Sequence, residues 1–255
     1  MNQAICLHPL IPIRSEPNHK AEQASQLLFG ETIKVIEQNG DWLNVTTDFD
    51  HFCGWIEERS VVFYTGRAKD HRMQIISKPY FNIQKENQNI IIPAGSEIPP
   101  VRSGDKFTLA NNTFYLKDHL PPESKTNRSN LLTTSKQFLN APYLWGGRTI
   151  FGFDCSGFVQ TVCKIHELPL PRDAKDQAEK GEDIKDLNSV LPGDLIFFRN
   201  QENKISHVGI YAGENKIIHA SISVRMDSID EKGIYNNELR KHTHELYSIK
   251  RLPVP

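Results

Sequence analysis

One run, Phe153-Asp154-Cys155-Ser156-Gly157-Phe158, sets the terms for this chain. It opens onto an apolar helix face: Phe158, Val159, Val162 and Ile165 fall at i, i+1, i+4 and i+7. Asp154 is a good N-cap for that helix. Cys155 then lies in the first turn, where unpaired backbone N–H groups and the positive end of the helix dipole favour an anion. The expectation is a thiolate, the nucleophilic form of the side chain. Gly157 has no Cβ and lets the helix pack closely against its neighbour. The plainer alternative is a small buried Cys in a core helix, because free Cys is commonly buried and inert. The cysteine alone does not decide between them.

Most of the remaining chain reads as short strands. In residues 1–64, Thr32-Ile33-Lys34-Val35-Ile36 and Trp42-Leu43-Asn44-Val45-Thr46 alternate around a turn at Asn39-Gly40-Asp41, and Cys53-Gly54-Trp55-Ile56 adds a further strand. Short strands at this spacing suggest a small barrel. Residues 65–125 repeat the theme faintly, with strands around Ile90-Ile91-Ile92 and Ile98. Asn111-Asn112 is a hairpin turn between Phe107-Thr108-Leu109 and Thr113-Phe114-Tyr115-Leu116. Pro121 to Thr126 is proline-rich and polar and reads as a linker. Residues 126–255 begin with a helical pattern over Asn130 to Leu139 and reach the Cys155 helix through Tyr143-Leu144-Trp145-Gly146-Gly147. They continue past a Leu191-Pro192-Gly193-Asp194 turn into strands over Leu195 to Arg199, Ile205 to Ala212 and Lys216 to Ser221. A helix followed by a meander predicts an α+β domain.

Composition narrows the chemistry. A formal net charge of −1 gives no reason to expect nucleic acid or an anionic membrane as a partner. Four Cys in 255 residues do not make a disulfide scaffold, and no C-x-x-C pair suggests structural zinc. No stretch approaches the roughly 18 apolar residues of a membrane span. The first residues lack the basic and apolar regions of a secretory signal, so a cytoplasmic protein is expected. No metal or cofactor is implied, and a monomer is expected.

A cysteine nucleophile needs a base within reach and a group that orients the base. Among ten His, His207 and His219 lie in consecutive predicted strands. If a three-residue turn at Gly213-Glu214-Asn215 joins those strands, Gly209 faces His219 and both imidazoles lie on one sheet face as diagonal neighbours. A two-residue turn would shift the register and separate them. His166 is three helical turns from Cys155, too far to reach the thiol. His242 and His244 sit in a polar run and read as solvated.

Phe153-Asp154-Cys155-Ser156-Gly157-Phe158, with His207-Val208-Gly209-Ile210-Tyr211 and Ile218-His219-Ala220, resembles the NlpC family of papain-like cysteine peptidases. Tyr143-Leu144-Trp145-Gly146-Gly147 and Leu191-Pro192-Gly193-Asp194-Leu195 add to the match. Leu28-Phe29-Gly30-Glu31, Asp41 to Val45 and Gly54-Trp55-Ile56 resemble bacterial SH3-like domains, and the second segment reads as a degenerate copy. The resemblance implies a papain-like domain behind two SH3-like barrels. It also implies hydrolysis of murein peptides, with Cys155 as nucleophile, His207 as base and His219 as orienter. The Cys155 N–H and Tyr143 would form an oxyanion hole. Asp154 and Ser156 would contact substrate, and Trp145 would wall the cleft. Arg172-Asp173-Ala174 is similar to an Arg-Asp-Ser segment whose acid binds the substrate's free amino group; Ala174 lacks the hydroxyl. Glu22 matches an acid in the first barrel that meets the same amine. Where the relatives usually add a Tyr there, this chain has Phe49 and Phe52.

The layout implies cleavage between γ-D-glutamate and an L-diamino acid (meso-diaminopimelate or L-Lys) in short murein peptides with a free N-terminal L-Ala, as in wall recycling. Two rivals stand beside it: a hydrolase or amidase of intact wall, and a wall-binding module without activity. The complete Cys155–His207–His219 set argues against the second.

Overall fold

Period-two burial builds the first part of the molecule. In the strand Leu10–Arg14, Ile11 and Ile13 point inward, and in Trp42–Thr47, Leu43 and Val45 do. The computed structural model describes residues 2–64, 72–101, 104–120 and 126–253. It divides into two compact units, Met1–Pro122 and Glu123–Pro255. All of the expected linker at 121–126 except Thr126, and the expected boundary at 65, lie outside the described residues.

The first unit is SH3-like and β-rich. Seven strands lie in the order Gln23–Leu28, Leu10–Arg14, Cys53–Glu57, Trp42–Thr47, Thr32–Asn39, Gln3–Ile5 and Val62–Phe63. The predicted turn pairs Asn39 with Trp42. A second sheet orders Gln88–Pro93, Tyr80–Lys85, Asn112–Leu116 and Lys106–Leu109, with Glu97–Ile98 paired to Gln74–Ile75. Its hairpin turns at Ala110-Asn111, both in the left-handed region, one residue earlier than expected, so that Leu109 pairs with Asn112. Phe29 stands edge-on to Phe114 with ring centroids 5.2 Å apart. Ile5 and Phe29, from the first sheet's segment of the chain, are therefore part of the second core.

The second unit places helices against a β-barrel. Helix α1 (Arg128–Gln137) starts at Asn127, whose side chain accepts from the Asn130 N–H. Helix α2 (Cys155–Ile165) is buried along its whole length, and α3 (Ala174–Gln177) is a single turn. The predicted meander continues further than the sequence suggested. Leu195–Arg199, Ile205–Gly213, Lys216–Ser221, Ser223–Asp230, Gly233–Asn236 and Lys241–Arg251 pair in succession, and the last also pairs with the first. Six strands thus close into a barrel, which leaves no open edge among them, and Glu182–Ile184 adds to the outside of the final strand. Inside are Ile196, Phe198, Tyr211, Ile217, Ile229, Ile234 and Ile249. Asp194, from the predicted Leu191–Asp194 turn, accepts from Arg128 at 2.8 Å and Arg251 at 2.7 Å, tying α1 to the final strand.

Candidate active site

Cys155, the candidate nucleophile, is positioned by the start of α2. Asp154 is the N-cap, and its Oδ1 accepts from the Gly157 N–H at 2.7 Å. A Cβ on Gly157 would lie 2.1 Å from the Gly147 carbonyl oxygen, so a glycine here allows the helix start to sit on the Gly146-Gly147 loop. That loop also donates the Gly146 N–H to Asp154 Oδ2 at 2.9 Å. Cys155 is buried beside the histidine strand, where the backbone N–H groups of Val208 and Ser156 face its sulfur.

The expected resting thiolate is not what this environment favours. Burial pushes the Cys155 thiol up to about 11, and the Asp154 carboxylate adds to the rise. The helix start and the two N–H groups offset only part of this, because the sulfur is withdrawn from water. His207 is driven well below the usual imidazole range, first by burial and then by His219 and His244. Near neutral pH the environment therefore favours a thiol at Cys155 and a neutral imidazole at His207.

His207 and His219, the candidate base and orienter, meet by a route that the sequence did not suggest. The turn is the two-residue Glu214-Asn215, both at positive φ, and Gly213 pairs with Lys216. That turn alone would put the histidines on opposite faces. A bulge at Ala212 adds the missing residue and restores the pairing of Gly209 with His219. His207 Nε2 lies 2.8 Å from His219 Nδ1. A Cβ on Gly209 would come within 2.8 Å of Ile217 and 3.0 Å of the His219 Cβ, so this position holds the two strands at close range. By register, both imidazoles share the barrel's inner face with Phe198 and Ile217.

Two neighbours of the base escaped the sequence. Asp227 Oδ2 lies 3.1 Å from His219 Nε2, and Arg225 pairs with the same carboxylate at 2.9 Å. His244, expected in solvent, stacks on His207 with centroids 4.1 Å apart. It reaches the barrel because Lys241–Arg251 is a strand rather than a polar loop. Burial, helped by His219, lowers it to about 4, so it is neutral. His166 is a buried pin, its Nε2 2.8 Å from the α1 hydroxyl of Thr134. His242, as expected, is exposed.

Around the thiol, Tyr143 is half-buried, and burial together with the nearby Cys155 and Asp154 pushes its hydroxyl up to about 12. It stays protonated, as a hydrogen-bond donor. Trp145 is largely exposed. Asp154 and Ser156, expected to face substrate, are buried and turned to the protein. Arg172 donates to both Asp154 oxygens and, at 2.9 Å, to Ser156 Oγ. With a guanidinium and two backbone N–H groups on it, the Asp154 carboxylate is committed to holding the helix start. Gln177 Nε2 donates to the Ser156 carbonyl at 3.1 Å, which keeps α3 beside the nucleophile. Asp173 and Ala174 open α3, and the exposed Asp173 carboxylate makes no cap bond to it. Glu22 is exposed just ahead of Gln23–Leu28 in the first unit. Of the candidates in the second unit, the structure thus places Asp154, Ser156 and Tyr143 beside Cys155, joins His207 to His219 on the neighbouring strands, and leaves Trp145 mostly exposed.

Comparison with known proteins bears on this arrangement. Residues 140–245 match the model of the NlpC/P60 family, and residues 13–61 match that of the bacterial dipeptidyl-peptidase SH3 domain. The chain is 31% identical over 235 residues to a γ-D-glutamyl-L-lysine dipeptidyl-peptidase of Bacillus subtilis, covering 84% of this chain and 78% of the relative. It is 29% identical over 224 residues to the protein of the same name from Bacillus cereus, covering 77% of this chain and 66% of the relative. The crystal structure of an NlpC/P60 family protein from Bacillus cereus superposes with a TM-score of 0.83 at 19% identity, covering 98% and 99% of the two chains.

Proposed function

Because the chain belongs to the NlpC/P60 family of cysteine peptidases, we propose that it cleaves the bond between γ-D-glutamate and an L-diamino acid in short murein peptides with a free N-terminal L-Ala, as released for wall recycling. The names of the Bacillus relatives support the bond. The observation that carries the chemistry is the 2.8 Å contact that ties His207 to His219, on the strand whose Val208 N–H faces the Cys155 sulfur.

In the acylation step Cys155 Sγ attacks the γ-carbonyl carbon while His207 takes the thiol proton. His207 uses Nδ1 for this, since Nε2 is engaged with His219. The carbonyl oxygen becomes an oxyanion, held by the Cys155 N–H and the Tyr143 hydroxyl. Collapse breaks the C–N bond, and the leaving amine of the diamino acid takes the proton from His207. Water then attacks the thioester and gives a proton to His207, which returns it to the departing sulfur.

Substrate length follows from charge. A free α-amino group is largely a cation near neutral pH, and the exposed Asp173 carboxylate is available to pair with it. An acylated L-Ala, as in intact wall, has no charge there. kcat/KM for L-Ala-γ-D-Glu-L-Lys should exceed that for its N-acetylated form by at least about 100-fold, and Asp173→Asn should narrow the gap. A ratio near one, or efficient digestion of whole sacculi, would establish the wall hydrolase instead.

A further inference from the structure

We propose that Asp227 is a positioning residue of this site: through His219 its carboxylate decides which nitrogen of His207 is free to take the Cys155 proton. The proposal rests on reading Cys155 and His207 as nucleophile and base. Nothing in the sequence motifs points to Asp227; it is found by following the hydrogen bonds away from the base.

The three groups form one buried line. Asp227 is 4% exposed, His219 1% and His207 5%. Register places them together: Gly209 pairs with His219, His219 with Arg225 and Ile217 with Asp227, so Asp227 is the diagonal neighbour of His219 on the inner face. The contacts are 3.1 Å from Asp227 Oδ2 to His219 Nε2 and 2.8 Å from His219 Nδ1 to His207 Nε2.

Proton positions along this line are set by which atoms can donate. An ionised carboxylate only accepts. Arg225 keeps Asp227 ionised, with Nη2 donating to Oδ1 at 3.0 Å and Nε 2.9 Å from Oδ2. His219 must then carry its proton on Nε2. Its Nδ1 is left as a lone pair, which accepts from His207 Nε2–H. A neutral His207 with its proton on Nε2 has its lone pair on Nδ1, the nitrogen available to the thiol. Two imidazoles thus transmit the polarity of one carboxylate to the base. Among the described residues, Glu238 also approaches the line, 3.6 Å from Arg225, and the neutral His244 stacks on His207.

Asp227→Asn should reverse this order. Arg225 carries only donors; its hydrogen bond runs from Nη2 to the Oδ1 position, whereas Nε makes none, so the amide oxygen of the Asn takes the Oδ1 position and the NH2 faces His219 Nε2. His219 then carries its proton on Nδ1, and His207 presents N–H rather than a lone pair to the thiol. Asp227→Ala imposes neither order and should be milder. The expected result is that Asn lowers kcat about 100-fold and Ala about 10-fold, with KM within about two-fold in both. A merely structural role predicts the opposite ranking, because Asn is the isosteric replacement and Ala leaves a void. An Asn variant as active as Ala or more so overturns the proposal.

The 15N resonances of the His219 ring, read at neutral pH without substrate, give a second measure. Protonation should move from Nε2 in the parent to Nδ1 in Asp227→Asn; an unmoved proton overturns the proposal. This readout needs no peptide, so it stands or falls apart from the substrate assignment. If the Asp227→Ala variant does not fold, the double variant His219→Ala/Asp227→Asn decides: with no polar side chain at 219 to pass the order on, it should be no worse than His219→Ala alone, and further loss overturns the line.

Discussion

Two buried aspartates of the second unit, Asp154 at the start of α2 and Asp227 behind His219, are each answered by an arginine, and their surroundings differ. On the nucleophile side, Arg172 grips Asp154, and the remaining acceptor capacity takes backbone N–H groups of Gly146 and Gly157. On the base side, Arg225 holds Asp227 more loosely, and one oxygen is shared with an imidazole. The arginines differ as well: the Arg172 side chain is 3% exposed and that of Arg225 22%. Asp227 is nonetheless held below the usual carboxylate range, since burial works against its charge but the bonds from His219 and Arg225 outweigh it. The first pair fixes backbone; the second, on the proposal above, fixes protons. A buried ion pair near a reaction centre is therefore not by itself evidence of a part in the chemistry: what matters is whether an acceptor atom is left for a group that titrates.

The largest effects should fall where the two sides meet. Cys155→Ala should abolish hydrolysis with the fold intact, because one small side chain replaces another, and Cys163→Ala should change little. Loss should then decline along the base side. His207→Asn removes the base and should lower kcat/KM by about 10^3- to 10^4-fold. His219→Gln keeps an amide oxygen that can accept from His207 Nε2–H, and should lose about 10- to 100-fold. Steady-state kinetics on the free tripeptide, with circular dichroism on each variant, tests the order. Equal losses at His207 and His219 would dissolve the distinction between base and orienter.

Stability should separate the sides in the opposite sense. Arg172→Met leaves the buried Asp154 carboxylate with two backbone N–H groups and the Ser156 hydroxyl but no counter-charge, and should destabilise the second unit by about 3–5 kcal/mol. Arg225→Met should lose about 1–2 kcal/mol, since His219 still donates to Asp227 and water reaches the vacated position. Urea unfolding of the full chain, followed by near-ultraviolet dichroism, measures both. Similar losses would mean that the base-side pair is as much a part of the scaffold as the other.

The sequence disclosed these sides unequally. The nucleophile side is local: cap, cysteine and glycine lie within four residues, so chain order is nearly spatial order and the helical period is plain. The strands Leu195–Arg199 and Lys216–Ser221 were likewise legible from continuous apolar runs. The second half of the barrel was not. Ser223–Asp230 buries Asp227 and leaves Met226 largely exposed, the reverse of the hydropathy that marks a strand. In Lys241–Arg251 the inward positions His244, Leu246 and Ser248 are half-buried and two of the three are polar, so its alternation is hard to see as an apolar pattern. The three-residue turn that the sequence suggests and the two-residue loop with a bulge at Ala212 in the structure give the histidines the same register, and no feature of Tyr211-Ala212-Gly213 announces the bulge. What stayed hidden was polar burial, which pattern reading scores as surface, and that inversion is the one signal that could have pointed to Asp227.

The smallest effect tests whether the base side is a line or a cluster. His244 touches both catalytic imidazoles, stacked on His207 and edge-on to His219 at 5.8 Å. Its contact with His207 is through the ring face, however, and a ring face passes no proton. Its Nδ1 is 2.9 Å from the Thr243 hydroxyl, directed away from the line. Lowered to about 4, it is uncharged wherever the enzyme is expected to work. His244→Phe keeps a flat ring on His207 and removes both nitrogens. If protons pass only along Asp227, His219 and His207, this variant should retain kcat/KM within about two-fold from about pH 6 to about pH 8. Its acid limb, set by His207 and lying below the ordinary imidazole value of about 6.5, should stay in place or rise slightly, because the repulsion that His244 adds to a charged His207 is gone. A ten-fold loss with the limb displaced to lower pH would mean that His244 helps to carry the positive charge during turnover. The base would then be an array of three imidazoles, and Asp227 would owe its effect to charge alone rather than to the proton order it imposes.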